Sequence, residues 1–171
     1  MIGRDGRQPG FYWSFERARA AAEKNETAFT SPVSLIGGLC TALEMIHAEG
    51  LEAVLARHRR LSTALREGAA ALGMPCFGQG ESLSSTVVVL SVPEPLDGAA
   101  IVRGMYERFT TVIAGARNRL AGRVLRMGTM GWVTEATILT DLYQLQSVLA
   151  DLGWHTQQGA GLAAASVALS R

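Results

Sequence analysis

The clearest order in this sequence is the spacing of its apolar residues. From Pro32 to Gly50, the residues Leu35, Ile36, Leu39, Leu43 and Ile46 recur at intervals of three and four. That spacing marks one face of an α-helix, and Gly50 supplies a natural C-terminal stop. Gly37 and Gly38 inside this segment each cost about 1 kcal/mol relative to alanine, which predicts close packing against another backbone. A second helix is predicted over Leu51 to Leu72, with Leu51, Val54, Leu55, Leu61, Leu65 and Leu72 inward and Gly73 as its end. The pattern then shortens. Ser85 to Val92 is β-branched and bounded by Gly80 and Pro93, which reads as a strand. Asp97 can cap a helix running to about Phe109. Thr111–Ala114 and Arg123–Met127 read as two further short strands. Thr134 caps a last helix to Leu152, with Ile138, Leu142, Leu145, Val148 and Leu149 on one side and Gly153 as its stop.

The flanks lack such regularity. Met1 to Gly10 is rich in Gly, Arg and Pro and reads as a flexible lead-in. Phe11-Tyr12-Trp13-Ser14-Phe15 is an aromatic cluster that calls for burial against something larger. Phe15 to Glu26 predicts a short helix, and Thr27 to Pro32 an extended approach to the next helix, with Thr30 or Ser31 as the cap. The tail after Trp154 is expected to fray. The expected organisation is a lead-in over 1–30, a domain over 31–153 and a flexible tail over 154–171. The element order predicts an α+β fold: two long helices and a small sheet covered by helices on one face. Its other face and the aromatic lead-in require a partner surface.

Composition narrows the class. The 171 residues suit one domain, and 48% hydrophobic against 18% charged residues supports a real core. Sixteen basic and fifteen acidic side chains balance to +1 without a basic block, which argues against a general nucleic-acid grip. No apolar run reaches the ~18 residues of a membrane helix, and Met1–Asp5 lacks a secretory signal, so a cytoplasmic chain is expected. Cys40 and Cys76 lie in unrelated surroundings and read as two buried thiols. Fifteen of the sixteen basic residues are arginine; the exception is Lys24. Chemistry that needs a lysine amine must use Lys24 or take it from another chain.

Two residues could carry chemistry. Thr30 precedes a helix start, where unpaired backbone N–H groups and partial positive charge can seat a phosphate; the plainer reading is a helix cap. Arg126 lies on a predicted strand between apolar neighbours and just before the Gly128–Gly131 turn. From there its planar fork can enter a cleft and grip a carboxylate bidentately, or it can face solvent from an edge strand. His47 reads as a helix-end cation and His58 as part of a solvated charged face. Neither histidine stands near a nucleophile in the sequence, no cluster has metal-ligand spacing, and Gly3, Gly6 and Gly10 follow no strand that would make them a dinucleotide loop.

Taken together, several segments resemble the later half of class V aminotransferases, in the group of alanine–glyoxylate, serine–glyoxylate and serine–pyruvate aminotransferases. They are Phe11-Tyr12, Thr27-Ala28-Phe29-Thr30-Ser31-Pro32-Val33-Ser34-Leu35, Glu49-Gly50-Leu51-Glu52, Arg57-His58, Ile113-Ala114-Gly115 and Gly122 to Gly131. The resemblance runs from about Phe11 to Leu152. It implies the small C-terminal domain of the large pyridoxal-phosphate transaminase fold. It also implies that Thr30 bonds the phosphate of pyridoxal 5'-phosphate in a neighbouring subunit's site, and that Arg126 binds the α-carboxylate of the amino-acid or 2-oxo-acid substrate. The chain would act as a homodimer or in association with a large-domain chain.

The departures from the family pattern set expectations of their own. The family's cofactor-holding lysine, the acidic partner of the pyridine nitrogen and the ring-stacking residue belong upstream of the aromatic lead-in. Lys24, on a helix end, is no substitute, so the 171 residues are expected to be inactive by themselves. Thr27 stands where a tyrosine is frequent, which weakens any second phosphate contact, and Gly115-Ala116 replaces a frequent glycine pair. Three readings are open: a part of an active aminotransferase, a non-catalytic interaction or regulatory domain derived from one, and an inactive remnant with a bare surface.

Overall fold

The computed structural model describes residues 11–78, 80 and 83–171. Met1 to Gly10, expected as a lead-in, lies outside them. The chain divides into two compact units, Met1–Glu49 and Gly50–Arg171. The division falls well after the expected boundary at residue 30, because the helix that starts near Pro32 buries none of its residues and so adds nothing to a core.

The first unit holds α1 (Phe15–Ala22) and α2 (Val33–Glu49). Ser14 caps α1 by accepting from the Arg17 N–H. The aromatic cluster packs on itself rather than into a core. Tyr12 and Phe29 meet in a tilted pair with ring centroids 4.3 Å apart, Phe11 lies 5.1 Å from Phe29, and Arg17 covers the Phe11 ring at 4.4 Å. Phe11, Tyr12, Trp13 and Phe15 all remain exposed. On α2, Leu35, Ile36, Leu39, Leu43 and Ile46 form the predicted stripe, yet every one is exposed. A Cβ added at Gly37 or Gly38 would meet nothing within 4 Å, so the close backbone approach expected there is not made. Cys40, expected to be buried, is exposed on the same helix, and Cys76 is only half-buried; both are free thiols.

The second unit holds α3 (Leu51–Ala71), β1 (Val87–Ser91), α4 (Gly98–Phe109), β2 (Ala114–Gly115), a 3-10 turn at Asn118–Leu120, β3 (Val124–Gly128), α5 (Glu135–Asp151) and α6 (Ala160–Leu169). The three strands form an antiparallel sheet in the order β1-β3-β2. Val88 pairs with Met127 and Leu90 with Leu125, so these four side chains share the face that points into the core. Leu61 and Leu65 of α3, Ile101 and Met105 of α4, and Leu142 and Leu145 of α5 complete that core. The α+β expectation holds. All five apolar positions read on α5 are buried, and Thr134 caps that helix through a reciprocal pair of bonds with Thr137. Asp97 caps α4 by accepting from the Ala99 N–H at 3.0 Å.

Four expectations need correction in this unit. Leu51 and Leu55, read as inward, are exposed, because the core contacts of α3 begin at His58. His58, read as solvated, is buried: it continues the Val54–Leu61–Leu65 stripe, and its Nδ1 donates to the Val54 carbonyl at 2.8 Å. The second strand shrinks to Ala114–Gly115, with Val112 left exposed. The tail does not fray. Residues 160–169 form α6, with Gly161, Ala165 and Ala168 buried, and Trp154 pins the connection by donating from Nε1 to the Leu72 carbonyl at 3.0 Å. The small residues that made this segment look disordered are what lets it approach α3. A Cβ at Gly161 would lie 3.1 Å from the Gly68 carbonyl oxygen, and one at Gly68 only 2.9 Å from that of Gly161.

Candidate functional site

Alternation along β3 decides where Arg126 goes. Leu125 and Met127 are buried in the core, so the residue between them is carried to the opposite face of the sheet. There Arg126 is exposed. Its guanidinium folds back on the neighbouring strand, where Nε and Nη2 both donate to the Gly115 carbonyl oxygen, at 3.2 and 2.9 Å. The pairing of Ala114 with Arg126 and Gly115 with Leu125 sets that acceptor one residue from the arginine's own cross-strand partner.

Arg126 does not line any of three cavities found elsewhere on the second unit. One, about 610 Å³, is bordered by Ser91, Glu94, Asp97 and Arg123. A second, about 430 Å³, lies between α5 and the segment of His155 to Gly159, and a third, about 170 Å³, lies beside β1. The reason is the layer arrangement: helices pack on one sheet face, and Arg126 is on the other.

The turn after β3 is held firmly. Thr129 is fully buried; its hydroxyl donates to the Ser85 carbonyl at 2.9 Å and its N–H to the Thr86 carbonyl at 2.8 Å. Arg57 reaches from α3 to donate to the carbonyls of Gly131 and Val133, each at 3.2 Å. Met130 and Trp132 stay exposed on this anchored turn. Neither the acceptor of Arg126 nor the Arg57 clamp is legible in the sequence. Gly115 acts through a backbone oxygen, which carries no residue-type signal, and Arg57 sits in a run of charges that reads as solvated.

Thr30, in the first unit, is exposed and lies three residues before α2 begins. Neither it nor Ser31 caps the helix. The Ser31 hydroxyl is turned to Thr27 Oγ1 at 3.4 Å, and the Ser31 carbonyl accepts from the Val33 N–H at 2.9 Å. The Pro32 carbonyl takes the first helical bond, from Ile36, at 3.0 Å. Among the described residues, no side chain bonds the N–H groups of Ser34 and Leu35, and the Thr30 hydroxyl has no partner. Thr27 instead donates to the Phe29 carbonyl at 2.7 Å. Lys24 is exposed just past the end of α1, and His47 is exposed on α2. Among the described residues no cluster of His, Cys, Asp or Glu could hold a metal ion, and no helix is long and apolar enough to cross a membrane. One carboxyl is clearly perturbed: burial on α5 raises Asp141 from 3.8 to about 6.

No family model matches the chain. It is 40% identical to the soluble hydrogenase small subunit of a Synechococcus species, a match over 95% of this chain and 42% of that protein. It is 38% identical to the serine–glyoxylate aminotransferase of Arabidopsis thaliana, over 82% of this chain and 35% of that protein. Among solved structures it matches the ureidoglycine–glyoxylate aminotransferase of Bacillus subtilis with a TM-score of 0.82 and 26% identity, over 90% of this chain and 41% of that one. The chain therefore spans well under half the length of the relatives it matches. Sequence and fold agree: what the chain matches is the C-terminal portion of class V aminotransferases.

Proposed function

We propose that this chain is the substrate-orienting portion of a pyridoxal-phosphate-dependent aminotransferase that moves an amino group from serine or alanine to glyoxylate or pyruvate in the cytoplasm. The observation that supports it most directly is Arg126, a guanidinium oriented by the sheet and bonded only to a neutral carbonyl. Such a group retains its full charge for a carboxylate and offers it two parallel N–H donors. Bound pyridoxal phosphate supplies the electron sink of the reaction. The donors at the start of α2 fit its phosphate: the Thr30 hydroxyl and the N–H groups of Ser34 and Leu35 are without side-chain partners and stand at the positive end of a helix. A second copy of the chain, or a chain carrying the rest of the aminotransferase, closes the cleft over Arg126, and only the latter brings the cofactor-holding lysine.

The test is a titration of the full chain with pyruvate and with glyoxylate, monitored by NMR. Arg126→Ala is expected to lower affinity about tenfold or more, the worth of a charge-assisted bidentate pair. Equal affinity of the variant and the parent would sink the assignment. Treatment with pyridoxal phosphate and borohydride is expected to leave Lys24 unmodified; a reduced adduct there would overturn the view that the amine comes from elsewhere. The bare apolar face of α2 favours a second reading, a non-catalytic interaction domain. That reading expects Arg126→Ala to change nothing measurable in carboxylate binding.

A further inference from the structure

We infer that the Gly115 carbonyl is the positioning group for Arg126: it holds the guanidinium by its Nε edge and leaves the Nη1/Nη2 end as the receptor for a carboxylate. This rests on the reading of Arg126 as a carboxylate receptor and adds how that receptor is aimed. A guanidinium has two edges that can grip a carboxylate with parallel N–H donors, the Nε/Nη2 side and the Nη1/Nη2 end. Here the side is taken, since both of its donors converge on one oxygen at 3.2 and 2.9 Å. The end is not engaged by any described residue. Only an end-on approach is then open to a substrate.

Two features make this more than a resting contact. The acceptor is main chain, and its place is set by the β2–β3 register rather than by a rotamer. Holding the side chain there before the substrate arrives removes part of the ordering cost that a free arginine would bear on binding. The acceptor is also neutral, so it orients without neutralising. An aspartate or glutamate in its place would form an ion pair that each substrate must displace. The sequence keeps such competitors away: between Glu107 and Glu135 there are five arginines and no acidic residue. Arg117 and Arg119, on the turn just past β2, are exposed and lack a carboxylate partner among the described residues. Arg123 is different, for it shares a cavity with Glu94 and Asp97.

The experiment is NMR of the arginine side-chain N–H groups in the full chain, with Arg117 and Arg119 as internal references and pyruvate as the probe. Without pyruvate, the Arg126 Nε–H should exchange with water about tenfold more slowly than those of the two references, as one retained hydrogen bond requires. Pyruvate should then shift the Nη groups of Arg126 while its Nε–H stays protected. Weakening the acceptor, by replacing the Gly115–Ala116 amide with an ester, should lower both the protection and the pyruvate affinity. Gly115→Ala should change neither, because the new Cβ would meet only Val102 Cγ2, at 3.9 Å. An unprotected Arg126 Nε–H in the free chain, or a pyruvate complex in which the Nε resonance moves and loses its protection, overturns the role of Gly115 and leaves Arg126 as a receptor intact. If no Arg126 resonance responds to pyruvate at all, the receptor reading and this inference fall together.

Discussion

Helices α2 and α5 carry nearly the same message in sequence and meet opposite fates. Each is 17 residues long, and each presents five apolar residues at helical spacing. On α5 all five are buried, on a helix that packs against α3, α4 and α6; on α2 none is. Periodicity thus specifies that a helix has an apolar face, and it says nothing about whether the cover for that face comes from the same 171 residues. For α5 it does. For α2 the relatives give the context, since they are more than twice as long as the stretch this chain matches. Arg126 and the Gly115 carbonyl that accepts from it both lie in the second unit.

Paired substitutions sharpen this contrast. The largest difference is expected from truncating matched leucines. Leu145→Ala on α5, where the side chain is fully buried, should cost about 3 kcal/mol in urea denaturation, from lost burial plus the cavity left behind. Leu39→Ala on α2, where the side chain is 58% exposed, should change stability by less than about 0.5 kcal/mol. Equal costs would mean that the α2 face is covered in solution, and the comparison would break.

A smaller effect, of opposite sign in the two units, is expected at glycines. Gly68→Ala drives a Cβ to 2.4 Å from Leu142 Cδ1 and 2.9 Å from the Gly161 carbonyl oxygen, and should destabilise by about 2 kcal/mol. Gly37→Ala meets nothing and should strengthen α2 by up to about 1 kcal/mol, seen as higher helicity by circular dichroism. A loss of helicity would show that the glycine is needed for a close contact after all.

The smallest effect concerns pH. Asp141 binds its proton up to about pH 6 in the folded chain, against 3.8 as its ordinary value, because burial on α5 penalises the carboxylate. Between these values the folded state holds more protons than the unfolded one, so stability should fall as pH rises from about 4 to about 6 and level off above. Since the side chain is only half-buried, solvent screening reduces the change to about 1 kcal/mol. Asp141→Asn should flatten the profile; a parent chain whose urea midpoint is constant across this range would remove the burial argument.

Much of the second unit is legible in its residues. Asp97 and Thr134 cap the helices they were expected to cap, Gly153 ends α5, and the positions of Leu90, Leu125 and Met127 accord with strand alternation. The segment after Trp154 was not legible, because an alanine- and glycine-rich stretch has the composition of a frayed end unless a matching groove exists. That groove is built around Gly68, almost one hundred residues earlier. His58 misleads for a related reason: its neighbours in sequence are charged, while its neighbours in space are the buried positions one helical turn away.

What the sequence by itself determined is local and periodic: where helices begin, which side of each is apolar, that Arg126 stands out from an apolar strand, and that lysine is confined to one position. Only the tertiary structure decided which apolar sides find a cover, which small residues permit two helices to touch, and which oxygen receives the Arg126 guanidinium. Those outcomes depend on groups distant in sequence meeting within a few ångströms, and several of the groups, Gly115 foremost, act through backbone atoms that every residue type shares.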